Sequence, residues 1–144
     1  MVRNHFETIK DRHRIGLPEG VIDASRFDCI EEVLLAADAG ITDYSSWMCD
    51  YILLGRPAFL YMPDIDNYGR DVGFFDPLEN APMQISRNMD ELVESIKGFD
   101  AGEYEFKRVK YLNDMRYVFN DCSANDAVRL IESIIRQRAP ISRL

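Results

Sequence analysis

Ala58-Phe59-Leu60-Tyr61-Met62 is apolar at all five positions. A strand with one face in water alternates apolar and polar residues, whereas a short unbroken run fits a strand covered on both faces. Such strands belong to parallel sheets sandwiched by helices, so this run constrains the chain toward an α/β fold. The neighbouring pattern agrees. Gly20-Val21-Ile22-Asp23 and Gly40-Ile41-Thr42 read as further short strands, and Met83-Gln84-Ile85 as an edge strand. Between them the apolar spacing turns helical over 28–37, through Ile30, Val33, Leu34 and Ala37, and again over 45–54. Gly55 and Pro57 close that second helix. Asn88 is placed to N-cap a helix running to Lys97, and helices are expected over 103–117 and 124–138. Residues 63–82, with Pro63, Gly69, Gly73, Pro77 and Pro82, read as a long loop.

Length and charge narrow the function classes. A chain of 144 residues, 47% apolar and 29% charged, fits one globular domain. At this size it buries roughly two-thirds of its unfolded surface and needs no staple. Cys29, Cys49 and Cys122 are too few and too scattered for a zinc cage or disulfide framework, and point to a reducing compartment. No apolar run approaches membrane-spanning length, and the N-terminal residues lack a signal-peptide core. A net charge of −8 argues against nucleic acid as a partner. Residues 1–16 run against that balance, with Arg3, Lys10, Arg12 and Arg14 against Glu7 and Asp11, and with both histidines, His5 and His13. A basic patch on an acidic body suits a small anionic ligand; a solvated terminus is the plainer reading.

Chemistry concentrates in Gly40-Ile41-Thr42-Asp43-Tyr44-Ser45-Ser46. A strand ends in a polar turn, and two serines open a helix whose unpaired N–H groups and dipole favour an anion, most often phosphate. In open parallel sheets ligands lie outside the carboxyl ends of the strands, where this turn falls. The plainer alternative makes Thr42, Asp43 or Ser45 only a helix N-cap.

The stretch from Ala37 through Pro57, with its Thr-Asp-Tyr-Ser-Ser, Asp50-Tyr51 and Leu54-Gly55-Arg56-Pro57 strings, resembles the signature of the CDP-glycerol glycerophosphotransferases, the teichoic-acid primases and polymerases. The likeness continues through Phe59-Leu60-Tyr61-Met62-Pro63-Asp64, Tyr68 and Gly73-Phe74, reaches back through Val21-Ile22-Asp23, and covers roughly residues 1–135. The resemblance implies a Rossmann-like parallel sheet with flanking helices, the C-terminal half of a glycosyltransferase-B-type fold. Residues 1–144 would then form the C-terminal CDP-alcohol-binding domain, without its first strands and without the N-terminal acceptor domain. It also implies transfer of glycerol phosphate from CDP-glycerol to an acceptor hydroxyl, with release of CMP. The acceptor would be a lipid-linked polymer, and the location cytoplasmic, peripheral at the inner face of the plasma membrane. CDP-glycerol would be a donor substrate; no cofactor and no metal ligand set is implied.

Residue by residue, the resemblance makes Ser45, Ser46 and Thr42 donor-phosphate residues, with Asp43 and Asp50 near the ribose or glycerol hydroxyls. Arg3-Asn4-His5 resembles the family's Arg-x-His-Pro motif, which implies His5 as the catalytic imidazole beside the pyrophosphate and Arg3 as a phosphate partner. Asp64, Asp66 and Tyr68 could line the glycerol pocket, although solvated carboxylates are the plainer reading of the two aspartates. Trp47 and Tyr51 read as core, and His13 as solvated. Phe6 stands where the family has proline, Ala81-Pro82 where it has Gly-Pro, and Asp121-Cys122 where it has Asp-Gly. These departures leave room for CDP-ribitol, for a nucleotide-sugar transferase of the same fold, or for a non-catalytic nucleotide-binding module. The tail, from Ile134 to Leu144, pairs apolar residues with Arg136, Arg138 and Arg143; it reads as membrane contact or as a solvated helix end.

Overall fold

A computed structural model describes residues 1–4, 16–74, 80–118, 120 and 122–138. The chain divides into two compact units, Met1–Tyr111 and Leu112–Leu144. The elements, in order, are α1 (Ile30–Ala36), β1 (Gly40–Thr42), α2 (Trp47–Tyr51) continued by a 3-10 turn (Ile52–Leu54), β2 (Ala58–Tyr61), α3 (Ile65–Asp71), β3 (Ile85–Ser86), α4 (Met89–Lys97), α5 (Ala101–Asp114) and α6 (Ser123–Arg138).

In the first unit, β1, β2 and β3 form a parallel sheet in that order. Gly40, Ile41 and Thr42 lie opposite Ala58, Phe59 and Leu60, while Leu60 and Tyr61 lie opposite Ile85 and Ser86. The all-apolar run behaves as its composition requires: Ala58, Phe59, Leu60 and Met62 are buried, and Leu60 sits at the sheet centre with no exposed surface. The reading of 20–23 as a strand contracts to one parallel bridge, Val2 with Asp23. It is closed by Val2 N–H donating to the Ile22 carbonyl (2.8 Å) and Ala24 N–H to the Val2 carbonyl (2.8 Å). Gly20 there adopts φ +84°, a turn conformation that breaks the extended run.

Helix ends follow local rules. Asn88 accepts from the Glu91 N–H (2.9 Å) and its amide donates to the Glu91 carboxylate (2.7 Å), a reciprocal cap that starts α4 where expected. Asp100 accepts from the Glu103 N–H (2.8 Å), which moves the start of α5 back to Ala101. The 45–54 helix is shorter than expected. Its α-helical part has five residues, and the last turn tightens to 3-10 before Gly55 at φ +65°. Residues 63–82 are not one loop, because α3 forms inside them. Among its internal bonds, Arg70 bonds Asn67 (2.8 Å) and Asp71 (3.2 Å).

Polar groups tie the layers together. The Ser86 and Ser95 hydroxyls, both buried, lie 3.3 Å apart and join β3 to α4. Arg56 Nη1 donates to the carbonyls of Leu35 (2.7 Å) and Ala37 (2.6 Å), and the Tyr51 hydroxyl also donates to Ala37 (2.9 Å). These bonds satisfy the carbonyl end of α1. Arg108, held by a two-pronged pair with Glu105 (2.6 and 2.7 Å), reaches the Ile52 carbonyl (3.2 Å) and so caps the 3-10 turn from α5. Phe59, Phe99 and Tyr104 form a ring cluster beneath β2, at centroid separations of 5.7 and 5.4 Å.

In the second unit, Arg116 takes a left-handed φ of 53° and the Tyr117 N–H bonds the Leu112 carbonyl (2.9 Å), ending α5 earlier than residue 117. α6 begins after Asn120, whose carbonyl accepts from the Ser123 hydroxyl (2.8 Å). Its apolar residues Val128, Leu130, Ile131, Ile134 and Ile135 are exposed.

The Tyr104 hydroxyl is buried and has no hydrogen-bond partner among the described residues. Burial pushes its pKa up to about 12, only partly offset by Arg108. Because the folded state holds this proton more tightly than the unfolded one, its contribution is complete below the ordinary tyrosine value. It is lost as pH rises through the raised one. Thermal melts should therefore show Tyr104→Phe at least as stable as wild type near neutrality. The variant should also lose less Tm between pH 9 and 11, and a steeper alkaline loss would contradict the assignment.

Candidate functional site

Parallel pairing brings the carboxyl ends of β1, β2 and β3 to one edge of the sheet. Residues 43–46, 62–64 and Arg87 leave the strands there. Thr42 ends β1, opposite Leu60. Asp43, exposed, accepts from the Tyr44 N–H (2.7 Å). Ser45 and Ser46 are exposed, their carbonyls accepting from Met48 and Cys49 as α2 begins. The N-cap position falls on Ser46, in helical conformation and with no side-chain cap bond. Thr42, Asp43 and Ser45 are thus not the helix N-cap, and the Ser46 hydroxyl is not spent on capping. Asp50 lies one turn beyond Ser46 on the same face, exposed.

A glycine sets the approach of α2 to β1. A Cβ on Gly40 would lie 3.0 Å from ring atoms of both Trp47 and Tyr51. Those rings meet edge-to-face at 5.5 Å, and Tyr51 is wholly buried. The core reading holds for Tyr51, while Trp47 is half-buried, its ring against Gly40 and Tyr51.

Facing the turn is α3. Tyr44 and Tyr68 stack with ring centroids 3.6 Å apart and planes 2° from parallel, and Phe74 closes on both. The Tyr44 hydroxyl donates to Asp64 (2.6 Å). Burial first, then Asp64 and Asp43, raise the Tyr44 pKa far above the ordinary phenol range, so this proton stays in place. Asp66 pairs with Arg87 (2.8 Å). Asp64 and Asp66 are exposed yet partnered, more than the solvated-carboxylate reading allowed. Sequence reasoning missed Tyr44 and Arg87. Tyr44 carried a signal in its central place in the turn, but Arg87 carried none.

Arg3 is tied to residues 24–27 of the same unit. Its Nη1 donates to the carbonyls of Ala24 (3.0 Å) and Phe27 (2.8 Å), and Asn4 N–H bonds the Ser25 hydroxyl (3.0 Å). Any phosphate contact by Arg3 would use its other guanidinium nitrogens. His5, Lys10, Arg12, His13 and Arg14 lie outside the described residues, as does Asp121. Among the described residues no three His, Cys, Asp or Glu side chains group to hold a metal ion, and no helix is long and apolar enough to cross a membrane.

Comparison with known proteins decides the family. The model of the CDP-Glycerol:Poly(glycerophosphate) glycerophosphotransferase family matches residues 1–135. The chain belongs to this family. A teichoic acid glycerol-phosphate transferase of Staphylococcus aureus is 39% identical over 110 residues, 72% of this chain and 27% of that protein. A teichoic acid poly(ribitol-phosphate) polymerase of Bacillus spizizenii is 31% identical over 114 residues, 78% of this chain and 18% of that protein. A structure of the wall teichoic acid polymerase TagF superposes with a TM-score of 0.72 at 28% identity, covering 96% of this chain and 35% of that one. Another TagF structure, soaked with CDPG, superposes at 0.64. The chain thus spans about a third or less of each relative. The α/β parallel-sheet architecture with flanking helices is that of TagF.

Gly40→Ala should destabilise the chain by about 1–3 kcal/mol, because the added methyl meets two packed rings. Denaturant melts would show it; an unchanged midpoint would mean that Trp47 and Tyr51 do not fix the approach of α2.

Proposed function

We propose that this chain supplies the donor site of a teichoic-acid phosphotransferase, with CDP-glycerol as donor. Residues 1–144 act as the C-terminal nucleotide-binding domain of a glycosyltransferase-B-type enzyme. The supporting observation is the placement of Ser45 and Ser46, inside the family's motif, at the carboxyl edge of the parallel sheet. Thr42 and the two serines donate to the phosphates, and Asp43 and Asp50 accept from ribose or glycerol hydroxyls. In the reaction an acceptor hydroxyl attacks the glycerol-bearing phosphorus. A new P–O bond forms as the acceptor O–H gives its proton to solvent, the pyrophosphate P–O bond breaks, and CMP carries away the electron pair. His5, by its motif, donates a proton or a hydrogen bond to that leaving oxygen, and Arg3 assists from beside it. Hydroxyl and guanidinium donors offset the charge that develops there.

The acceptor is a lipid-linked polymer, and the part of the reaction carried by residues 1–144 is binding of the donor. Its location is cytoplasmic, peripheral at the membrane face where such acceptors lie. Ribitol-phosphate enzymes stand among the relatives, which makes CDP-ribitol the second donor to test.

Calorimetric titration with CDP-glycerol, CDP-ribitol, CMP and a UDP-sugar tests this reading. CDP-glycerol and CMP should bind and the UDP-sugar should not. Ser45→Ala/Ser46→Ala should weaken CMP about 100-fold or more, the loss of two hydrogen bonds to a charged group. Tighter binding of CDP-ribitol would reassign the alcohol. Absence of binding by the folded chain would overturn the donor role.

A further inference from the structure

The turn at 43–46 hangs between two fixed ends. Thr42 is held in the ladder by Leu60, and the start of α2 is held by the packing of Trp47 and Tyr51 against Gly40. The residues between them make few bonds of their own: Tyr44 N–H to Asp43, and the Ser45 and Ser46 carbonyls to α2. A short polar turn so held keeps conformational freedom unless its middle is anchored. Tyr44 is that middle. Its ring is half-buried at the sheet edge rather than in the core, and lies flat on Tyr68 at 3.6 Å. Its hydroxyl is tied to Asp64, the residue that opens α3. The Asp64 carboxylate makes no N-cap bond to its own helix, so it serves the turn instead. Beside the stack, Phe74 meets both rings and packs over Gly69, where a Cβ would lie 2.9 Å from the Phe74 ring.

We propose that Tyr44, Tyr68 and Asp64 form an aromatic latch whose role is to position Ser45 and Ser46 for the donor phosphates. Tyr44 and Tyr68 are positioning residues, acting through the serines. The inference rests on the donor reading above. The latch also accounts for the helix inside the segment read as a loop, because α3 is the platform that carries Tyr68. A phosphate site with pre-set donors binds more tightly than one that must order them on contact.

The test uses the full chain, with Tyr68→Leu to remove the stack, Tyr68→Phe to restore it, and Tyr44→Phe to remove only the bond to Asp64. Two readouts are taken: amide hydrogen exchange, and titration with CMP and CDP-glycerol. In Tyr68→Leu the amides of Tyr44, Met48 and Cys49 should exchange about tenfold faster, the scale of one aromatic pair. Leu60 and Met62, whose amides bond Gln84 and Ser86, should be unchanged. Affinity for CMP and CDP-glycerol should fall about tenfold, and Tyr68→Phe should recover both readouts. Tyr44→Phe should weaken CMP about threefold and decides the matter if Tyr68→Leu fails to fold. Unchanged local exchange, or faster exchange with unchanged affinity, would overturn the latch while leaving the donor reading intact. No binding of either nucleotide by the wild-type chain would overturn the donor reading, and the latch with it.

Discussion

β1 and β2 run parallel, with Gly40, Ile41 and Thr42 in register with Ala58, Phe59 and Leu60. Parallel neighbours cannot be joined by a tight hairpin, so the chain must cross over the sheet between them. That crossover is α2 and its 3-10 turn, and it leaves β1 at the carboxyl edge. The repeat of this geometry from β2 to β3 brings 62–64 and Arg87 to the same edge. Residues 62–64 share the motif's edge because of this pairing; an antiparallel β2 would send them to the opposite edge of the sheet.

Close packing under the turn depends on the absence of a side chain. Gly40 lets two aromatic rings lie against β1, and those rings set the distance from strand to helix. Above the turn the aromatic contact is of another kind, a flat stack at the surface between Tyr44 and Tyr68. Two nearby carboxylates each have a donor. Asp64 takes the Tyr44 proton bond and Asp66 takes Arg87, so two carboxylates beside a prospective phosphate are each engaged. Engaged carboxylates repel an incoming anion less than unpartnered ones would.

The fold was legible where one residue type settles a local question. Uniform apolarity of 58–62 marked a doubly covered strand, Asn88 marked a helix start, and Gly55 with Pro57 marked a helix end. The segment 63–82 was illegible because its Gly and Pro content reads as loop, and a seven-residue helix is marginal by itself. α3 is tied to other parts of the chain by the stack of Tyr68 on Tyr44, the bond from Tyr44 to Asp64 and the Asp66–Arg87 pair. The length of 45–54 was readable and its division was not, since the last turn tightens to 3-10 against a cap that Arg108 brings from α5.

For the candidate site the division is similar. By itself the sequence determined the turn, its two serines and its family, because motif identity and strand-helix order are properties of consecutive residues. Only the tertiary structure decided that the Ser46 hydroxyl is not a cap, that Arg3 Nη1 holds two main-chain carbonyls, and that Tyr44 meets Tyr68 and Asp64. Tyr44 and Tyr68 stand on different elements joined by a strand and a crossover. No local periodicity links residues so placed, and their contact exists only once the parallel sheet has closed.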